Sequence, residues 1–221
     1  MGIYAEALIL YILIFFSGSS VISASGDFSS IAEITKLLVR VIPSLALIWY
    51  LIHKSTLTNL NLIRGKYILA SSLDVRFKKK DLISAAYAYP CLLAAGFAVT
   101  SASALSGTAI SVTVQMPSSQ PQWLVLCVSC LLSAYLEESY FRFYLLSKRD
   151  EMNMNAFGAL ILSVILFSVC HIYGGPWTFL NAVISGTFLG FIFLKYNAIH
   201  CLAIAHGLYN ISVYVINAVF N

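Results

Sequence analysis

The stretch Trp123–Leu146, WLVLCVSCLLSAYLEESYFRFYLL, decides how this chain is read. It is apolar enough for lipid throughout, except that Glu137, Glu138 and Arg142 stand inside it. An Asp or Arg at the centre of an inserted helix costs about 2.5–3.5 kcal/mol, and Glu is taken as comparable. Three such groups cost about 8–10 kcal/mol, whereas each surrounding Leu, Val or Phe returns only about 0.3–0.6 kcal/mol. The segment breaks even at best. Packing alone does not call for such a balance, so the charges read as a working site inside a transmembrane helix.

Composition agrees. Of 221 residues, 60% are hydrophobic and only 10% charged, with mean hydropathy +0.86. A soluble domain carries nearer a quarter charged residues, so an all-helical integral membrane protein is expected. Apolar segments fall at Ile3–Ile22, Ile34–Ile52, Leu82–Ser101, Trp123–Leu146, Ala156–His171, Thr178–Tyr196 and Ile199–Phe220. Most approach the ~20 residues a helix needs to cross the hydrocarbon, and the fifth is short. The reading is one membrane domain over 1–221: N-terminal helices without recognisable motifs in 1–122, and a motif-bearing core in 123–221. The first segment has no basic residue ahead of it and carries Glu6, which argues against a cleaved signal peptide.

Charge then suggests a topology. Lys54, Arg64, Lys66, Arg76, Lys78, Lys79 and Lys80 lie between the second and third segments. Lys148 and Arg149 follow the fourth, and Lys195 ends the sixth. Residues 102–122 and 172–177 hold no Lys or Arg. The positive-inside rule then puts the N-terminus in the cytoplasm and the C-terminus outside, with seven spans. The run Arg76–Lys80 reads as a topology determinant touching anionic lipid, and the formal charge of +4 implies no nucleic-acid partner.

Smaller signatures have structural readings. Ser30 and Glu33 resemble a capping box opening the second segment, and Pro43 should kink it. Gly186 and Gly190 offer a smooth face for close helix contact. The five cysteines, Cys127 and Cys130 included, lack zinc-site spacing and read as packing residues, as do Tyr135, Tyr140 and Phe141. His53, His200, Trp49, Trp123 and Trp177 fall near segment ends and read as interfacial.

The chemistry emerges from spacing. On a helix, Glu138 and Arg142 share a face and can pair, whereas Glu137 points about 100° away. One carboxylate can be held by the arginine while the other works as a base. His171 follows Phe167 by four residues, and Asn210 follows His206 by four. Polar groups on three intramembrane helices tend to seek one another, so a shared interior site is the economical arrangement. Straight helices rising ~1.5 Å per residue would spread Glu137, His171 and His206 over about 10 Å or more of depth. A break is therefore expected, and Gly174-Gly175-Pro176 is the place for it.

Glu137-Glu138-x-x-x-Arg142, Phe167-x-x-x-His171 and His206-x-x-x-Asn210, in that order, resemble the three motifs of the CPBP family. These are the CaaX proteases and bacteriocin-processing enzymes, also called the Abi family of intramembrane proteases. The resemblance covers the C-terminal half from Trp123 onward. It implies a glutamate-dependent endopeptidase with an all-helical core and no cofactor. By that similarity Glu137 and His171 would activate the attacking water, and His206 and Asn210 would form the oxyanion hole. Glu138, Arg142 and Phe167 complete the motifs as supporting residues, the ion-pair role of the first two resting on the helical wheel and not on the resemblance.

Two rival readings remain at this level. One is a zinc-dependent protease with Glu137, His171 and His206 as ligands, although no His-Glu-x-x-His run is present. The other is a non-catalytic immunity or scaffold protein, with a proton-coupled transporter as its variant. The expected partners are membrane lipid and a peptide or membrane-protein substrate, lipidated or not. A bacterial cytoplasmic membrane is the expected location.

Overall fold

The computed structural model describes residues 2–16, 28–62, 81–108 and 115–220. Those residues hold seven helices and no strand: α1 (Ile3–Phe16), α2 (30–62), α3 (Asp81–Leu105), α4 (Gln120–Ser147), α5 (Ala156–Val169), α6 (Gly175–Tyr196) and α7 (Ile199–Phe220). Each falls on one of the apolar segments read from the sequence. Four are long and apolar enough to cross a membrane: α3, α4, α6 with the turn that precedes it, and α7. The shorter apolar α5, at 14 residues, reaches only about 21 Å against a hydrocarbon core of about 30 Å. Arg64, Lys66, Arg76, Lys78, Lys79 and Lys80, on which the topology argument leaned, lie outside the described residues.

Helices α4, α7, α3, α6 and α5 pack in that order around a common interior, and α5 closes the ring against the last turns of α4. Gly186 and Gly190 make the α5–α6 contact, as their spacing suggested. A Cβ on Gly190 would lie 2.2 Å from Leu160 Cδ1, and one on Gly186 would lie 2.9 Å from Phe167. Helix α2 lies along α4, and α1 is fastened to the bundle by tyrosine hydroxyls. Tyr140 donates to Ala7 O (2.7 Å), Tyr11 to Leu166 O (2.7 Å), and Tyr144 to the Glu6 carboxylate (2.7 Å). An acidic residue on an apolar helix is thereby satisfied from its neighbour.

Three wide, π-type turns interrupt the helices, and the sequence reading anticipated none of them. The one that matters is Ser139–Tyr144, directly after the glutamate pair, where the amide of Leu145 bonds Tyr140 O. Ser163 on α5 donates to Phe141 O inside it (2.7 Å). A second, Leu37–Val41, sits just before Pro43, so the disturbance expected at the proline takes the form of a widened turn. A third closes α1 (Ile12–Phe16), where Arg40 from α2 donates to Ile14 O (2.8 Å) and so caps the exposed carbonyls.

Other expectations need correcting. The cap of α2 is Ser29, not Ser30: its hydroxyl accepts from the Ala32 amide. Trp49 makes specific contacts within the bundle. Its helix runs on well past it, and its indole donates to Ser139 Oγ (3.2 Å) and stacks on His200. The fifth helix ends at Val169, two residues short of His171. The break itself falls where glycine and proline placed it. A 3-10 turn, Ile172–Gly174, leads to Gly175 at φ +86°, which a side chain would resist, and Pro176 opens α6. All five cysteines are free thiols.

The glycine contact gives a stability prediction. Gly190→Ala should cost about 1–3 kcal/mol by overpacking, because Leu160 is itself buried and has little room to yield. Thermal unfolding in detergent checks it: an unchanged midpoint would contradict so close an α5–α6 approach.

Candidate functional site

The interior of the ring is where the charges lie. Glu138 and Arg142, one turn apart on α4, are both completely buried, with Nη1 3.2 Å from Glu138 Oε1. The helical wheel foresaw this pair. It did not foresee the third member: His206 Nδ1, reaching in from α7, donates to the same Oε1 at 2.8 Å. No within-helix spacing signals that contact, because it joins residues 68 positions apart.

The guanidinium has further support. Its Nη2 donates to the Gly186 carbonyl on α6 (3.4 Å), and the Phe167 ring on α5 lies against its face, 4.4 Å from the centroid. Gly186 thus has a second role beyond close packing. Without a Cβ it lets Phe167 and Arg142 approach, and its carbonyl accepts a charged donor. Arg142 Nε and Nη1, Glu138 Oε2 and Glu137 Oε2 are buried and have no hydrogen-bond partner among the described residues.

Glu137 occupies a different environment. Its side chain is 20% exposed, against 0% for Glu138. Its Oε2 stands 3.7 Å from His206 Nε2, too far for a direct hydrogen bond and close enough for one bridging oxygen. The two carboxylates therefore meet opposite nitrogens of one imidazole. As the wheel argued, one glutamate is held by the arginine and the other is not.

His171 lies off the end of α5, half-buried, in a non-helical conformation. Its Nδ1 donates to Phe167 O at 2.7 Å. A carbonyl only accepts, so Nδ1 bears the proton and Nε2 of the neutral ring keeps its lone pair. The ring packs on Phe167 with centroids 4.6 Å apart, and Phe167 in turn meets His206 at 6.1 Å. The structure thus brings together Glu137, Glu138, Arg142, Phe167 and His206, and joins His171 to them through Phe167. Asn210 lies one turn beyond His206 on α7, half-buried, and its side chain makes no hydrogen bond to the described residues.

Among the described residues no three His, Cys, Asp or Glu side chains converge as a metal-binding set. The donors present suit proton transfer and hydrogen bonding to an oxyanion. Removing the buried cation tests the electrostatics. Arg142→Ala leaves Glu138 buried with one partner fewer and should cost about 3–5 kcal/mol. Detergent-solubilised protein should melt earlier or fail to accumulate; a midpoint equal to wild type would contradict the pairing.

Comparison with known proteins adds one positive finding. Residues 119–212 match a family model described as type II CAAX prenyl endopeptidase Rce1-like. No curated protein and no solved structure matches the chain. The matched segment contains Glu137, Glu138, Arg142, Phe167, His171, His206 and Asn210. With four helices able to cross a bilayer, the chain is an integral membrane protein, and its residues 119–212 form a protease-type core of the CPBP family.

Proposed function

We propose that this protein is an intramembrane endopeptidase that hydrolyses a peptide bond with water activated by Glu137 and His171. The observation that carries the reading is the division of labour between adjacent carboxylates. Glu138 is sealed and neutralised, while Glu137 is partly open beside an imidazole. A base must reach both its water and its substrate, and only Glu137 has that access.

The steps balance with the groups at hand. Water between Glu137 and the Nε2 lone pair of His171 gives a proton to the carboxylate as its oxygen bonds to the scissile carbonyl carbon. Negative charge moves to the carbonyl oxygen. His206, from Nε2, and the Asn210 amide donate to it, and such donors gain strength in a low-dielectric interior. Collapse of the tetrahedral species breaks the C–N bond, and the departing amine takes the proton back from Glu137. Phe167 orients His171 through its carbonyl and supports both imidazoles through its ring.

The description of the matched family makes a prenylated C-terminal peptide the first substrate to offer. A suitable probe is an internally quenched peptide with a farnesylated cysteine and three residues after it, in detergent or lipid vesicles. Glu137→Gln should lower its cleavage about 10²–10⁴-fold while the protein still folds. Asn210→Ala should lower kcat about 10²–10³-fold with little change in KM, because the oxyanion exists only beyond the ground state. Full activity of the Glu137→Gln protein would remove Glu137 as the base, and a wild-type protein that cleaves no peptide would favour a scaffold.

A further inference from the structure

Glu138 meets two partners at one oxygen, one by an ion pair and one by a hydrogen bond, and the second contact sets the state of the imidazole. Its Oε1 lies 3.2 Å from Arg142 Nη1 and 2.8 Å from His206 Nδ1. A carboxylate only accepts, so Nδ1 of His206 carries a proton and is committed to Glu138. The ring's other nitrogen, Nε2, is the one turned towards Glu137, at 3.7 Å. Glu138 itself is completely buried behind the imidazole.

We propose that Glu138 is a positioning residue. It fixes the orientation and tautomer of His206 so that Nε2 is presented to Glu137 and to the reacting carbonyl. The carboxylate is in turn immobilised by Arg142, whose guanidinium is pinned by Gly186 O on α6 and by the Phe167 ring on α5. Four helices therefore set the angle of one imidazole: α4 supplies the carboxylate and the arginine, α5 and α6 hold the arginine, and α7 bears the ring. With Nδ1 committed, His206 donates to an oxyanion only when Nε2 also bears a proton. The charge of that doubly protonated ring is balanced locally, two carboxylates standing against one guanidinium and one imidazolium.

The rival account is that Glu138 serves only to neutralise Arg142. A paired substitution separates the two. Glu138→Gln alone leaves a buried guanidinium uncompensated, and the protein can fail for that reason. Glu138→Gln with Arg142→Met removes both charges and keeps an apolar body against Phe167. If Glu138 only balances Arg142, this double variant should fold and cleave the farnesylated probe like wild type. If Glu138 positions His206, it should fold and still lose about 10- to 100-fold or more in kcat, with KM nearly unchanged.

The activity arm rests on the peptidase reading; a spectroscopic arm does not. In protein labelled with ¹⁵N-histidine, the proton on Nδ1 of His206 should give a strongly deshielded signal, assigned by its loss in His206→Asn. That signal should disappear or move far upfield in the double variant. An unchanged signal, or full activity in the double variant, would overturn the proposal. A wild-type protein that cleaves nothing yet shows the signal, and loses it in the double variant, would sink the peptidase reading and leave the positioning of His206 standing.

Discussion

A guanidinium with no exposure to solvent is the constraint on which the rest of the structure depends. Arg142 is completely buried and so is the carboxylate opposite it. Charges in such a place need partners with good geometry, because withdrawal from water costs several kcal/mol per ion even after relaxation. The chain meets this need from three directions: Glu138 on the same helix, the Gly186 carbonyl on α6 and the Phe167 ring on α5. Each partner fixes an element of the bundle. The ion pair is thus less a source of stability than a registration device, locking α4, α5 and α6 at one depth while His206 brings in α7.

The site's polarity is graded from closed to open. Moving from Arg142 through Glu138 and His206 to Glu137, side-chain exposure rises from 0% to 20%. The first pair is sealed, and the last residue keeps some exposure although its Oε2 is itself buried. Adjacent identical residues acquire different chemistry because consecutive positions on a helix look about 100° apart. Nothing in the side chains themselves distinguishes them.

Sequence reasoning reached what lies within one helix and stopped where helices meet. The Glu138–Arg142 pair, the separation of Glu137 and the smooth Gly186–Gly190 face all follow from helical spacing. The break before α6 follows from glycine and proline chemistry. By contrast, the bond from His206 to Glu138 depends on the rotation of α7 relative to α4, which no spacing encodes. The widened turn Ser139–Tyr144 has no marker either, since its residues are ordinary helix formers and aromatics. The bond from Trp49 to Ser139 likewise joins two helices, and no spacing marks it. The three ordered motifs made the family legible, and the matched segment covers all of them.

The brevity of α5 has a consequence for how a hydrolase could be wetted inside a bilayer. A rod of about 21 Å cannot reach both surfaces of a layer about 30 Å thick, so one of its ends stops beneath the headgroups. The corner carrying His171 follows the C-terminal end of α5, and the neighbouring Ile172 and Tyr173 are largely uncovered. A recess of this kind would lead the aqueous phase down to the imidazole without a channel through the bundle. The recessed histidine would then stand at the boundary between the water that is consumed and the lipid that holds the chain to be cut.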